Sequence, residues 1–338
     1  MNFIIFSPFI LSYFCNFANM QDKKQQIVFI VNPISGTRSK EGLEELIASV
    51  IDADRYDWKL VKTERAGHAS EIASECADRG VDICVAVGGD GTVNEVASAL
   101  TEKSTALGII PCGSGNGLAR HMRIPMNMKG ALEIINQGHI EAFDYGKVGG
   151  HPFFCTCGMG FDAFISLKFA EAGKRGLTTY VENVLKEGLK YQPDVYTVTD
   201  ESGTHSYEAF LIACANAAQY GNNAYIAPGA SMQDGLLDVI IMEPFSMLEA
   251  PGIALDMFAK TLPNNSRIKT FQARKIHIHR QKEGAVHYDG DPTIMGTDID
   301  VEIVSRGLRA VVNPACIEDA SHPTRMMNAI SAFFHKII

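Results

Sequence analysis

The 338-residue chain has no surplus of positive charge, no closely paired metal-type cysteines, no internal repeat and no low-complexity linker. Its net charge of −9 argues against a nucleic-acid binder, which needs basic surface to displace counterions from phosphates. The same deficit makes an anionic membrane a poor general partner, so any membrane contact is expected to use local basic patches. The eight cysteines are scattered, and the closest pair, Cys155-Thr156-Cys157, lacks the two-residue gap of a zinc knuckle. A chain this long does not need a disulfide scaffold, and a reducing cytoplasm fits best. Charge is absent altogether from Met1 to Gln21. That stretch has no basic n-region or small-residue cleavage site, and Ser, Asn and Pro interrupt it, so it barely suffices to span a bilayer. Three readings stay open for residues 1–19: a mis-called start before Met20, a membrane anchor, or buried structure.

What is present is ordinary globular composition, 46% hydrophobic and 20% charged, enough for one large domain or two modest ones. The first half alternates strands and helices. Strands are expected at Ile27–Val31, Asp57–Val61, Ile83–Val87 and Leu107–Ile110, and helices at Gly42–Ile51, Ala69–Ala77 and Val93–Leu100. Such alternation implies a parallel sheet covered by helices. After Phe143 the pattern becomes strand-rich: Phe153–Cys157, Asp194–Thr199, Ala209–Ala215, Leu236–Met242, Arg274–His279 and Asp300–Val304. A helical insert at 177–189 and a crossover helix at Met247–Lys260 interrupt it. The expected fold class is α/β plus all-β, with an α/β nucleotide domain over 20–142 and an antiparallel β-sandwich domain over 143–314. A tail over 315–338 follows.

Three glycine turns carry the chemistry. The strongest is Val87-Gly88-Gly89-Asp90-Gly91-Thr92-Val93-Asn94-Glu95, which follows a buried strand and opens a helix. That geometry presents free backbone N–H groups to a phosphate, and glycines let the backbone come close. Asp90 would repel a bare phosphate, so it suits a Mg²⁺ contact or a base for an attacking hydroxyl; otherwise it caps the helix. A second turn, Pro111-Cys112-Gly113-Ser114-Gly115-Asn116-Gly117, also joins a strand to a helix. A third, Asn32-Pro33-Ile34-Ser35-Gly36, ends the first strand and taken alone is equally a plain turn. In a parallel sheet all three belong at the carboxyl edge, where ligands bind. Together they point to a nucleotide site that includes Asn32, Ser35 and Gly113.

These motifs, in this order, resemble the diacylglycerol kinase catalytic-domain family of lipid kinases. The likeness runs from about Lys24 to Pro314 through Asp144-Tyr145-Gly146-Lys147, Gly158-Met159-Gly160-Phe161-Asp162, Asp234-Gly235-Leu236-Leu237-Asp238 and Tyr288-Asp289-Gly290-Asp291. The central glycine motif is shared with NAD kinases and phosphofructokinases. The resemblance implies an NAD-kinase-like α/β domain, a β-sandwich domain, and a site and lipid entrance in the cleft between them. It places ATP on Thr63, Gly88, Gly89, Asp90, Gly91, Thr92, Val93, Asn94 and Ser114, with Asp90 at the phosphates. It gives Asp144 a place in the polar network of the site. It implies a structural Mg²⁺ on the Asp234 carboxylate and the carbonyls of Ser231 and Leu236.

The implied general base is Asp291, where family members commonly carry Glu; Asp90 is its rival. Asp289-Gly290-Asp291 also reads as a plain hairpin turn. Gly117 stands where bacterial members often have Asp, a form closer to sphingosine and ceramide kinases, which tilts the acceptor toward a sphingoid lipid. Thr37 stands where a Lys is usual, leaving Arg38, Lys40 or the pair Lys174-Arg175 to supply that charge. The implied activity is ATP-dependent phosphorylation of a lipid hydroxyl, at the periphery of a membrane and without nucleic acid; a homodimer is an open alternative to a monomer. The competing readings are a kinase of a soluble molecule such as NAD and a nucleotide-binding protein without turnover.

Other features are weaker. The acid-free run Arg267–Lys282 reads as a solvated strand face or as a docking patch for anionic lipid. His277 and His279 share a strand face, but no third metal ligand lies at a sensible spacing. In the tail, Met326, Met327, Ile330, Phe333, Phe334 and Ile337 recur at helical spacing, which suits packing on the core or an interfacial helix.

Overall fold

The computed structural model describes residues 24–35, 40–172 and 191–314. The leader, Arg38, Lys174, Arg175, the helix expected at 177–189 and the tail stripe lie outside them.

The first half builds β1 (Gln25–Val31), α1 (Leu43–Val50), β2 (Tyr56–Lys62), α2 (His68–Asp78), β3 (Ile83–Gly88), α3 (Asp90–Leu100) and β4 (Ala106–Pro111). Two short helices follow, α4 (Gly117–His121) and α5 (Met128–Gln137). β3 and β4 are buried along their whole length, as expected of parallel strands covered on both faces. The strands run parallel in the order β2-β1-β3-β4. Their register decides where the turns fall. Val31 pairs with Lys62 and with Val87, Val87 with Ile110, and Gly88 with Pro111. Asn32, Thr63, Gly89 and Cys112 therefore begin their turns at one level on the carboxyl edge.

The second half is antiparallel: β5 (Ile140–Val148), β6 (His151–Phe153), β7 (Thr156–Gly160), α6 (Phe161–Ala172), β8 (Asp194–Asp200), β9 (Gly203–Ala209), β10 (Leu211–Ala215) and the short pair β11 (Gln219–Gly221) and β12 (Ala224–Tyr225). Then come β13 (Leu237–Met242), α7 (Ala250–Ala259), β14 (Ile268–Ala273), β15 (Lys275–Arg280), β16 (Gly284–Tyr288), β17 (Asp291–Met295) and β18 (Asp298–Val311). A six-stranded sheet, β14-β13-β10-β7-β16-β17, packs on the far part of a ten-stranded sheet. Phe153, Met159, Ile212, Val239, Ile276, Ile278, Val286 and Val301 fill the space between them. This is the expected α/β half followed by an antiparallel sandwich.

Several elements differ from expectation. β18 continues past Val304, bulges, and reaches the parallel sheet, where Ala310 pairs with Leu107 beside β4. One sheet thus runs through both halves, and the 142/143 boundary falls inside β5. The strand expected at Phe153–Cys157 is two strands. It breaks because the backbone N–H groups of Phe154, Cys155 and Thr156 donate to the Asp289 carboxylate (2.8, 2.7 and 3.1 Å) instead of to a neighbouring strand. The helix expected from Val93 begins at Asp90, so the glycine motif itself forms its first turn.

Candidate active site

The two main glycine turns touch. A Cβ added to Gly113 would lie 2.7 Å from the Gly89 Cα, so only hydrogen at both positions allows the approach. Gly88 is equally constrained, since a Cβ there would meet Thr92 Oγ1 at 2.5 Å. Over Gly91, by contrast, a Cβ would meet nothing within 4 Å. No side chain caps the start of α3, so the amides of its first turn have no side-chain acceptor. An uncapped helix N-terminus thus adjoins the open space over Gly91.

Each polar residue of the motif holds a different neighbour. The Asp90 carboxylate accepts from the backbone N–H of Asn116 through Oδ2 (2.8 Å) and of Gly117 through Oδ1 (2.7 Å). It caps the second turn, and both oxygens are engaged. Thr92 Oγ1 accepts from Asn32 Nδ2 (3.2 Å), joining the turn after β1 to the β3–α3 junction. Glu95 accepts from the backbone N–H of Gly67 and Ala69 (3.0 and 3.2 Å), capping α2. Asn94 Nδ2 donates to Asp289 Oδ2 (2.8 Å), a residue 195 positions away in the chain.

Asp289 ties the halves together. Asp289 and Gly290 have φ of +50° and +90°, and Tyr288 pairs with Asp291, so Asp-Gly makes a two-residue hairpin turn with both φ values positive. The side chain leaves this turn to collect the three N–H bonds of the 154–156 break and the Asn94 amide. Burial pushes its carboxyl above the usual range, against the pull of these four donors. Asp90, Val93, Asn94, Leu118, Phe154, Cys155 and Asp289 line one narrow crevice between the halves. Asp291 is exposed as the first residue of β17 and does not line that crevice. Burial, and then the charge of Asp291, raises the Tyr288 hydroxyl above the ordinary phenol range.

Asp289→Ala should remove four hydrogen bonds and leave three amides without their acceptor. At about 1–3 kcal/mol for each stranded group, a loss on the order of 3 kcal/mol is expected in denaturant unfolding. Asn94→Ala should lose only about 1 kcal/mol. An unchanged unfolding midpoint for Asp289→Ala would contradict this role.

The remaining candidates fall around this centre. Ser35 and Thr63 are buried at the same edge, whereas Ser114 is exposed on the second turn. Lys40 turns under the first loop, donating to the carbonyls of Asn32 (2.7 Å) and Ser35 (2.5 Å), and burial lowers its pKa. Arg120 Nε donates to the Gly115 carbonyl (2.9 Å), a second basic group on the turns. Asp144 is fully buried; its oxygens accept from Gly235 N and Arg306 N (both 2.7 Å). It organises the Ser231–Leu236 loop rather than lining the crevice. Buried Asn216 links the two regions, its Nδ2 donating to the carbonyls of Asp144 (3.0 Å) and Phe154 (2.9 Å).

In the Ser231–Leu236 loop, Asp234 is exposed and its Oδ1 accepts from Leu236 N (3.0 Å), leaving the other oxygen. Burial and then the charge of Asp234 raise the Asp238 carboxyl, a repulsion that a cation would relieve. One carboxylate with two carbonyls and water is an all-oxygen set that fits a hard cation. His277 and His279 instead hydrogen-bond Asp300 (3.1 Å) and Asp298 (2.9 Å) opposite them, and among the described residues no group of three ligating side chains is arranged to hold a metal.

Sequence reasoning missed Asn216 and Glu95 and treated Asp289 as a turn residue only. The Asp-Gly pair signalled the hairpin, but nothing local signalled where the Asp289 side chain goes.

Comparison with known proteins agrees with this architecture. Residues 26–148 match the diacylglycerol kinase catalytic domain, and residues 156–312 match the YegS C-terminal NAD kinase beta sandwich-like domain. A protein named probable lipid kinase YegS from Escherichia coli O17:K52:H18 is 30% identical over 261 residues, covering 75% of this chain and 86% of that protein. One named probable lipid kinase YegS-like from Citrobacter koseri is 29% identical over 264 residues, with the same coverage. The crystal structure of a diacylglycerol kinase from Bacillus anthracis superposes with a TM-score of 0.68 at 23% identity, over 87% of this chain and 99% of that one, which shows the shared fold.

Proposed function

We propose that this chain, which belongs to the diacylglycerol kinase catalytic-domain family of lipid kinases, transfers the γ-phosphoryl group of ATP to a hydroxyl of a lipid at a membrane surface. The observation that carries the reading is the union of two glycine turns, Gly89 against Gly113 with Asp90 across both, under an uncapped helix start. Amides of Asp90, Gly91 and Thr92 in the first turn of α3, and of Ser114, would receive the phosphates, with Asn32, Ser35 and Thr63 bordering them; the Gly113 N–H is already held by Asn116 Oδ1 (3.0 Å) and that of Val93 by the Gly89 carbonyl (3.1 Å). Phosphoryl transfer asks a protein mainly for positioning and charge stabilisation. Backbone amides of the two turns that the Asp90 carboxylate clasps together supply both without reorganising.

In this reading Asp90 is the residue that holds the phosphate turns, since both of its oxygens are engaged by amides. Asp291 accepts the proton of the lipid hydroxyl. Asp289 sets the position of Asp291 by anchoring the hairpin tip between the halves. Mg²⁺, when bound, neutralises charge on the phosphates, and a second, structural ion suits Ser231, Asp234 and Leu236. Asp144 and Asn216 connect that loop to the crevice wall. A membrane-peripheral site fits the substrate, and among the described residues no helix is long and apolar enough to cross a membrane.

The test is ADP release from ATP with dispersed lipid or with NAD as the only acceptor. Lipid-dependent release is the expected result. Release with NAD alone would replace the reading with a soluble-acceptor kinase, and ATP binding without release would make the chain a nucleotide-binding protein.

A further inference from the structure

The crossover helix α7 departs from the pattern of a surface helix. Its inner side is ordinary: Ile253 is buried, and Met257 packs with it on the cluster formed by Leu211, Ala213, Ile240 and Ile268. Its outer side should then be polar. Instead Pro251, Gly252, Ala254, Leu255, Phe258 and Ala259 are exposed, and Met247 and Leu248 extend the same apolar surface before the helix. Leu248 is 93% exposed, Leu255 69% and Phe258 61%, too much for side chains that merely border a core.

The acids of this segment are drawn away from that surface. Glu249 accepts from Ser246 N (2.7 Å) and Arg267 Nε (2.8 Å), and Asp256 accepts from Thr261 Oγ1 and Asn265 Nδ2 (both 2.7 Å). The one basic residue of the segment is Lys260, at the helix end, with its Nζ 4.3 Å from the centre of the Tyr225 ring. An apolar face with a single cation at its rim matches the layering of a bilayer, acyl chains beneath and phosphates at the edge.

The position matters as much as the composition. α7 packs on β12, and β12 pairs with β11. On its other side that hairpin touches the second glycine turn: Asn222 N donates to the Gly115 carbonyl (3.3 Å), and a Cβ on Gly221 would lie 3.1 Å from Gly115. One two-stranded hairpin therefore separates the apolar face from the site.

We propose that the Met247–Phe258 face is a membrane-docking surface, inserted among the acyl chains of a lipid bilayer and setting the crevice at the headgroup level. It rests on the lipid-kinase reading for its purpose, but its binding test does not require turnover. Docking is apolar rather than electrostatic, which suits a protein with a net charge of −9 and replaces the basic patch expected from composition.

The full chain should co-sediment with phosphatidylcholine vesicles. The double variant Leu255→Asp/Phe258→Asp should bind them about ten-fold more weakly or worse, with an unchanged melting temperature and unchanged turnover of a short-chain, water-dispersed lipid. The chain has a single tryptophan, Trp58, so Phe258→Trp adds a local probe whose emission should shift to the blue on adding vesicles. Unchanged vesicle binding by the double variant would overturn the proposal, as would a Phe258→Trp emission that ignores vesicles. So would a wild-type dimer that the double variant converts to monomer without any vesicle binding, since the occupant would then be a second copy. If the double variant melts early, the Phe258→Trp emission decides. Vesicle binding with no phosphorylation of any lipid would sink the kinase reading and leave the docking surface standing.

Discussion

Asp90→Asn should lower turnover on the order of 10²-fold or more while the chain still folds. Its carboxylate is the clasp between the two phosphate turns, taking the N–H of Asn116 on one oxygen and that of Gly117 on the other. An asparagine fits the same space but offers one oxygen, and its NH₂ must face the second N–H. A charge-assisted bond of about 1.5–3 kcal/mol is replaced by two opposed donors. The second turn can relieve this only by moving away from Gly89, and a displacement of about 1 Å in a positioning element costs roughly 10²-fold in rate. Steady-state kinetics with ATP as the varied substrate should show both a lower kcat and a raised KM. A variant keeping more than about a tenth of wild-type activity would remove Asp90 from the machinery.

Asp291→Asn should behave differently, lowering kcat by about 10²–10⁴-fold with little change in the KM for ATP. A base acts on the acceptor hydroxyl in the transition state and does not hold the nucleotide. The hairpin that presents Asp291 is fixed by the bonds of Asp289, so the loss should be chemical and the melting temperature unchanged. Asp291→Glu, which restores the longer acid of the family, should retain activity. If Asp291→Asn changed only the affinity for ATP, the acid would belong to the nucleotide site. If Asp289→Asn gave the large kcat loss at unchanged stability, the crevice acid would be the base.

The contrast between these two acids shows what the chain reveals locally. The parallel half was legible because three of its four strands, β1, β3 and β4, are short apolar runs closed by glycine or Asn-Pro, and parallel strands need no finer signal. The register of Val31, Val87 and Ile110 then puts the three turns at one edge, as the alternation implied. The antiparallel half was less legible. β9, Gly-Thr-His-Ser-Tyr-Glu-Ala, is largely solvent-exposed at a sheet edge, so it carries no apolar alternation to detect. β18 was read only to Val304 because Arg306 sits at φ +54° and Gly307 packs where a Cβ would strike the Tyr145 ring at 2.4 Å. That bulge interrupts the pattern without ending the strand.

In the site, the glycine motif was visible but the tasks of its acids were not. Asp90 looked like a group for metal or proton because the amides that occupy it come from a turn 26 residues away. Asp289 looked like a turn residue because its partners lie 133 to 195 residues away in sequence. Side-chain roles set by contacts this distant are not written in local spacing. The constraint on Gly88 is, because it comes from Thr92 in the same motif, whereas the Gly89–Gly113 approach joins two motifs and is not.

The central claim is that the γ-phosphoryl group of ATP ends on a lipid hydroxyl. It is tested most directly by incubating the full chain with γ-labelled ATP, Mg²⁺ and vesicles containing diacylglycerol, phosphatidylglycerol, sphingoid base or ceramide, and reading the lipids by mass spectrometry. At least one lipid should gain a labelled phosphate with wild-type protein, and Asp291→Asn should leave it unlabelled. Label found only in inorganic phosphate or on a soluble acceptor, with every lipid unchanged, would contradict the claim.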